Sequence, residues 1–240
     1  MTDLIVTPVQ GLPQFAAGDD LGALIAAAVD LVAGDVVVVA QKAVSKAEGR
    51  VLDLATVQPR PEAVEIAGGT EDPRFVEVVL RESARVVRRR GSLLICETRH
   101  GLVCASAGVD RSNAAQPDLV VLLPLDPDAS AERLRAALPA GVAVLVSDSF
   151  GRPFRQGITG VAIGCAGLDP LDDRIGRPDD AGRPFAGTVV HVADELAAIA
   201  DHVMGPAGGV PAVRIRGARV TPGETGAAAT VMPADRDLFR

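Results

Sequence analysis

Two patterns of apolar and polar residues alternate along the chain: short β-branched runs, and Ala-rich segments whose apolar residues recur at helical spacing. Short apolar runs bounded by Gly or polar residues predict strands, and the helical spacing predicts amphipathic helices. The predicted strands are Leu4–Val9, Asp35–Ala40, Leu93–Glu97, Leu119–Leu123, Val142–Ser147, Thr188–Ala193 and Val213–Arg216. The predicted helices are Asp20–Val32, Arg74–Arg89, Ala131–Leu138 and Asp194–Met204. The alternation predicts a mixed α/β (α+β) architecture.

Two local features refine this picture. The extended segments Leu93–Glu97 and Leu102–Ser106 flank a tight Arg-His-Gly turn, which predicts a hairpin rather than a clean βαβ repeat. His100 in that turn could act as a base, but a histidine in a tight turn more often makes a local hydrogen bond.

Four glycines, Gly157, Gly160, Gly164 and Gly167, are spaced three, four and three residues apart. On a helix this spacing would place them in one stripe. It is not the spacing of a phosphate-cradling loop, so we expect close packing of this segment against another backbone rather than phosphate binding.

The segment of residues 144–160 carries the first candidate chemistry. An apolar run there ends in Asp148 and Ser149, followed by Arg152 and Arg155. In open α/β sheets, ligands bind at the carboxyl ends of such strands. The two oxygen-bearing side chains suit Mg²⁺ or Mn²⁺, and the guanidinium groups could hold an anion. The alternative is that Asp148 caps a turn and the arginines are solvated.

The valine run Val36–Val39 predicts a strand buried on both faces, and a polar segment with Lys42 and Lys46 follows it. If that segment is helical, both amines project from one face and could neutralise a nucleotide phosphate. From the spacing alone, two solvated helix lysines are the favoured interpretation. No GxxxxGK[ST] motif occurs in the chain, so any nucleotide would bind without a P-loop.

Residues 96–114 hold another isolated carboxylate, Asp110, in a segment rich in small residues. Asp and Asn in such loops often bond the nearby backbone. Because hard cations take oxygen ligands from separate loops, Asp110 could instead join Asp148 at one metal ion.

Composition and charge exclude several classes of function. The 240 residues fit one large domain or two closely joined ones, and 48% of them are hydrophobic although Trp and Tyr are absent. A formal net charge of −7 argues against nucleic acid as a general partner. Three widely spaced cysteines suit a reducing compartment, and no apolar run reaches the roughly 18 residues of a membrane span. We therefore expect a soluble cytoplasmic protein.

Six blocks of sequence carry a family resemblance. They are GLPQF at 11–15, QKAVSKAEGR at 41–50, DPRFVEVVLRES at 72–83, ETRHGLVCASAGVDRSN at 97–113, SDSFGRPFRQGITGVAIGCAGL at 147–168 and PAVRIRG at 211–217. Together, and in this order, they resemble the coenzyme F420:L-glutamate ligases, in the form that lacks a nitroreductase-like domain. The resemblance covers nearly the whole chain as a single functional unit, 1–240, with two subdomains an open alternative.

The resemblance implies an activity and a set of partners. It implies GTP-dependent addition of L-glutamate, through a γ-glutamyl linkage, to coenzyme F420-0 by way of an acyl phosphate, yielding GDP and phosphate. The implied cofactors are a divalent metal, Mg²⁺ or Mn²⁺, with K⁺ as a further candidate. The implied fold is an unusual γ-glutamyl ligase fold that forms an intertwined homodimer. The alternatives are a related GTP-dependent ligase for another acid, and a non-catalytic nucleotide-binding homologue.

The resemblance also implies site residues. Those implied to contact GTP are Leu12, Pro13, Gln14, Phe15, Gln41, Lys46 and Asn113. Asp110 and Asp148 would hold the first metal ion, Ser149 would help with a second, and Lys46 and Arg155 would join the two aspartates as catalytic residues. One segment departs from the family pattern, because residues 204–211 offer no side-chain oxygen where a Glu or Gln is expected. The second metal site is therefore in question.

Overall fold

The computed structural model describes residues 3–112, 118–205 and 209–238. The strands are β1 (Ile5–Pro8), β2 (Val36–Ala40), β3 (Val51–Asp53), β4 (Ser83–Arg90), β5 (Leu93–Thr98), β6 (Val103–Ala105), β7 (Leu119–Val121), β8 (Ala143–Arg152), β9 (Arg155–Ala166), β10 (Asp172–Asp173), β11 (Val189–Val190) and β12 (Ala212–Arg216). The helices are α1 (Leu21–Ala28), α2 (Gln41–Ala47), α3 (Pro61–Ala67), α4 (Pro73–Glu82), α5 (Pro127–Ala136) and α6 (Val192–Met204). The mixed α/β prediction is thus confirmed. Within the described ranges, no helix is long and apolar enough to cross a membrane.

A five-stranded sheet in the order β1, β12, β2, β8, β9 forms the centre of the fold. Strands β2 and β8 are parallel, whereas the other neighbouring pairs are antiparallel. The four valines of β2 are fully buried. Val37 and Val39 pack into the core shared with α1, α2 and α5, while Val36 and Val38 pack into the core shared with α6. The prediction of a strand buried on both faces is confirmed, because helices cover both sides of the sheet.

Smaller sheets and a third core complete the molecule. Strands β4, β5 and β6 form one sheet, and β3 pairs with β7. The third core packs α3 and α4 against these strands, with Val78, Leu94 and Val120 among its buried residues. The predicted hairpin around residues 99–101 is confirmed, because β5 and β6 pair antiparallel across it.

The predicted helix Arg74–Arg89 is wrong in its second half. Helix α4 ends at Glu82, and the following residues form β4, which pairs antiparallel with β5. At the junction, the Ser83 hydroxyl donates to the Val79 carbonyl at 2.6 Å. Most of β4 is exposed, so its Arg-rich sequence lacks the apolar alternation that identifies a strand. Its conformation is set by pairing with β5, which local sequence does not reveal.

The hairpin of β8 and β9 is also longer than the sequence predicted. The strand expected over Val142–Ser147 continues to Arg152, and β9 was not predicted at all. Glycines explain how β9 fits between two helices. A Cβ added at Gly160 would lie 2.5 Å from the Ala197 carbonyl oxygen of α6, and one at Gly164 would collide with the Pro127 carbonyl of α5. The prediction of close backbone packing is confirmed at Gly160 and Gly164, on a strand rather than a helix, whereas Gly157 meets nothing within 4 Å and Gly167 meets the Arg135 side chain.

Candidate functional site

A cavity of about 320 Å³ lies beside the end of β2 and the middle of β8. Its wall combines the segment after β1, the first turns of α2, the polar part of β8 and the end of α6. This is the expected ligand position for a parallel strand pair. The predicted site residues that line the cavity are Leu12, Pro13, Gln14, Phe15, Gln41, Lys46, Asp148 and Ser149.

The remaining predicted residues lie elsewhere. Asp110 does not line the cavity but contacts Lys42, which does. Arg155 is an exposed residue at the start of β9, near the tip of the β8–β9 hairpin and away from the cavity wall. Asn113 lies outside the described residues, as do positions 206–208 of the departing loop.

Helix α2 sets one wall of the cavity. It begins directly where β2 ends, so the lysine segment is helical, which is the condition under which both amines were expected to share one face. Gln41 is buried, and its amide nitrogen donates to Ser45 Oγ at 2.6 Å and to the Leu122 carbonyl at 3.0 Å. These bonds hold the first turn of α2 in place and point the next residue, Lys42, along the cavity wall.

The two lysines of α2 are not equivalent. Lys42 Nζ lies 2.7 Å from Asp110 Oδ2 and donates to Ser112 Oγ at 2.6 Å, so it is engaged rather than solvated. Lys46 lies one turn further along the same face. Burial, and then the charge of Lys42, lowers the pKa of Lys46. The cavity therefore holds two amines whose mutual repulsion an anion would relieve.

Asp148 is the most strongly perturbed carboxyl group of the site. Burial raises its pKa from the ordinary 3.8 to about 6, and the charges of Asp110 and Asp201 add to that effect. The Ser149 backbone N–H, which donates to Asp148 Oδ1 at 2.9 Å, and the charge of Lys42 act in the opposite direction. An acid held in a cleft at this pKa is typical of functional sites.

Asp110 is held by its neighbours. The Ser112 backbone N–H donates to Asp110 Oδ1 at 2.6 Å, and the Ser112 hydroxyl donates to Oδ2 at 3.0 Å. Burial raises the pKa of Asp110, but the bonds from Lys42 and Ser112 outweigh it and the pKa is lowered overall. Asp110 is therefore a charged carboxylate beside the cavity, and each of its two oxygens has at least one bonded neighbour.

Sequence reasoning missed Asp201. This residue lies on α6, lines the cavity, and accepts a hydrogen bond from Ser149 Oγ at 2.7 Å. A signal was available, because Asp201 interrupts the face of α6 that carries buried Ala197, Ala200 and Met204. Asp201 therefore places a carboxylate one helical turn before residues 204–211, the segment whose side chains contain no oxygen.

The donor set of the cavity suits a hard cation. Asp148, Asp201 and the Ser149 hydroxyl supply oxygens, and the charge concentrated around Asp148 is what a divalent cation would relieve. Within the described part of the chain, however, no three His, Cys, Asp or Glu side chains are already gathered as a metal site. Asp110 is turned to Lys42 instead.

The cysteines and His100 lie outside this chemistry. Cys96, Cys104 and Cys165 are buried and unoxidised, and burial raises the pKa of Cys104 and of Cys165 to about 12. His100 Nε2 lies 3.1 Å from the Leu125 carbonyl oxygen, and the residue does not line the cavity. The expected local hydrogen bond is wrong, because the His100 side chain bonds the backbone of a segment 25 residues away, and its alternative role as a base stays a prediction.

Comparison with known proteins shows the class to which this fold and site belong. Over 220 residues the chain is 49% identical to the coenzyme F420:L-glutamate ligase of Methanothermobacter thermautotrophicus, covering 87% of each chain. It is 46% identical over 233 residues to the enzyme of that name from Methanopyrus kandleri, covering 93% of this chain and 92% of the relative. The chain is a ligase.

The family can be stated directly. Residues 11–217 match the profile described as F420-0:Gamma-glutamyl ligase, so the chain belongs to that family. The matched range includes every residue of the cavity wall named above.

Proposed function

We propose that the protein is a GTP-dependent ligase that joins L-glutamate to coenzyme F420-0, forming GDP and phosphate. Family membership and the names of the relatives support this reaction. The observation that carries it is the cavity itself, which gathers Leu12, Gln41, Lys46, Asp148 and their neighbours from distant parts of the sequence. These are the residues for which the resemblance implies nucleotide and metal contacts.

The reaction requires an activated carboxylate, because an amine does not displace hydroxide from a carboxylate in water. We propose that the acceptor carboxylate takes the γ-phosphoryl group of GTP, giving an acyl phosphate and GDP. The glutamate amine then attacks the acyl carbon, and the C–O bond to phosphate breaks. Such transfers depend mainly on positioning and charge neutralisation, so no protein nucleophile is needed. The buried thiols are consistent with that requirement.

The cavity residues divide into cationic and anionic groups. Lys46 supplies fixed positive charge for the phosphates, and Phe15 and Leu12 provide apolar surface at the cavity wall. Asp148 and Asp110 would hold a divalent cation, Mg²⁺ or Mn²⁺, with Ser149 and Asp201 as further oxygen donors. When bound, the cation would neutralise phosphate charge during transfer. We also propose that the protein acts as a homodimer, which light scattering of the purified protein would test.

One assay tests the reaction. Purified protein would be incubated with GTP, Mn²⁺, L-glutamate and F420-0, and the products followed by mass spectrometry. We expect an acceptor heavier by one glutamate residue, formed together with GDP, and no product when GTP is replaced by ATP or omitted. GTP turnover with another acid but not with glutamate would favour a sibling ligase. GTP binding without any turnover would favour the non-catalytic homologue.

A further inference from the structure

Lys42, Ser112 and Asp110 form a closed triangle at the edge of the cavity. Lys42 Nζ lies 2.7 Å from Asp110 Oδ2 and 2.6 Å from Ser112 Oγ, and Ser112 Oγ lies 3.0 Å from Asp110 Oδ2. The side chains of Lys42 and Asp110 are only 28% and 35% exposed. The ammonium group therefore lies against a partly desolvated carboxylate, where the attraction exceeds that of a surface pair.

The triangle occupies both lone pairs of one Asp110 oxygen, Oδ2. A carboxylate oxygen offers two lone pairs, and Oδ2 accepts from both the Lys42 ammonium and the Ser112 hydroxyl. The second oxygen, Oδ1, accepts from the Ser112 backbone N–H at 2.6 Å. A cation that is to bind Asp110 through Oδ2 must first displace Lys42.

Lys42 also lies on the wall of the cavity that Asp148 lines. A single ammonium group is thus bound to one proposed ligand of the cation and shares the cavity with the other. Lys46, one turn along α2, lines the same cavity but makes no ion pair with Asp110 among the described contacts.

We propose that Lys42 is an internal counter-ion: it holds Asp110 in the cation-free protein and competes with the divalent cation for that carboxylate. The inference rests on the proposed function, in which Asp110 and Asp148 hold the cation. In this arrangement Lys42 is a positioning residue. It keeps the acidic site neutralised and folded until metal and nucleotide arrive, and its ammonium group is then released toward the cavity.

The test is Mn²⁺ binding to the nucleotide-free protein, followed by the electron paramagnetic resonance signal of free Mn²⁺. Lys42→Met removes the competing charge while keeping a long side chain, and it should tighten Mn²⁺ binding roughly fivefold to tenfold. Lys42→Arg keeps the charge and should bind Mn²⁺ like the wild type. Unchanged or weaker binding by Lys42→Met would overturn the proposal.

Lys46→Met is the matched control, because it removes an equal charge from the same face of the same helix. If each lysine only repels the cation through its charge, Lys42→Met and Lys46→Met should bind Mn²⁺ more tightly than the wild type by the same factor. That result would also overturn the proposal that Lys42 competes for Asp110. Without metal, Lys42→Met should melt at a lower temperature than the wild type, and saturating Mn²⁺ should remove the difference. A difference that persists at saturation would mean a purely structural role for the ion pair.

Asp148→Asn separates this inference from the proposed function. If the wild type does not bind Mn²⁺, or if Asp148→Asn leaves its Mn²⁺ binding unchanged, the proposed cation site is wrong. The proposed role of Lys42 is then wrong as well. If that binding is present but Lys42→Met does not tighten it, only the inference about Lys42 is wrong.

Discussion

The two ends of the β8–β9 hairpin differ in almost every physical respect. At its base, Val144, Leu145 and Val146 are fully buried, and Gly164 of β9 packs against the backbone of α5. At its tip, Phe154 is 90% exposed and Ile158 is 66% exposed. Asp148 and Ser149 lie between these ends, where the strand leaves the core and meets the cavity. The comparison shows how a rigid base can hold polar groups at the edge of solvent without burying them completely.

The largest expected effect lies at the middle of the hairpin. Asp148→Asn should lower ligation at least a thousandfold, about 4 kcal/mol, because a neutral amide cannot offset the charge of the proposed divalent cation as a carboxylate does. The fold should remain intact, since the amide has nearly the same shape. Ligation assays with circular dichroism as a control for folding would measure both effects. Near wild-type turnover would show that the polar centre of the hairpin is not the reaction site.

The next-largest effect is on stability, and it should differ between the buried base of the hairpin and its exposed tip. Gly164→Ala should lower the free energy of unfolding by about 2–4 kcal/mol, because the new Cβ collides with the backbone of α5. Gly151→Ala is the matched control on the same hairpin, since a Cβ there meets nothing within 4 Å. Chemical denaturation of both variants would show the difference. Equal losses would mean that the base is not tightly packed.

The raised pKa of Asp148 gives a smaller effect that depends on pH. The folded protein holds this proton more tightly than the unfolded chain does, so its contribution to stability is present at low pH and is lost as the pH rises through about 6. In cation-free protein, Asp148→Asn should therefore raise the free energy of unfolding by about 1–3 kcal/mol at pH 8 and by well under about 1 kcal/mol at pH 4. Denaturation curves at both pH values would measure this. A stability gain that is independent of pH would contradict the assigned cause.

The smallest effect on stability is expected at the tip. Arg155→Ala should change the free energy of unfolding by less than about 0.5 kcal/mol, because the side chain is exposed. It should nevertheless lower ligation about tenfold if the guanidinium group holds an anionic substrate, as its position after Asp148 and Ser149 in the sequence suggests. Steady-state kinetics on the folded variant would decide. Unchanged kinetics would confine the site to the cavity and leave the tip outside it.

Local sequence predicted the parts of the fold that depend on burial and spacing. The four valines of β2 carried enough information for their environment, and the glycine spacing indicated the close packing of Gly160 and Gly164 although it did not predict strand β9. The segment Ser83–Arg90 carried no such information, because its strand conformation depends on a partner across a turn and most of its side chains face solvent. The same distinction holds within the site.

Eight residues of the cavity wall were predicted because the family resemblance covers contiguous blocks of sequence. Asp201 and the ion pair of Lys42 with Asp110 were not, since each depends on contacts between distant segments: 52 residues separate Ser149 from Asp201. Helical spacing placed Lys42 and Lys46 on one face, but it could not show that only Lys42 reaches Asp110. Distinguishing these two amines requires tertiary structure.

The burial of all three cysteines has a practical consequence for labelling. Thiol reagents attack the thiolate at an accessible sulfur, and these sulfurs are enclosed and hold their protons well above physiological pH. We therefore expect the native cysteines not to react with maleimide dyes or thiol-specific spin labels while the protein is folded. A cysteine introduced at the exposed position of Phe154 would be modified selectively, and a fluorophore there would report on the surroundings of the hairpin tip without removal of any native thiol.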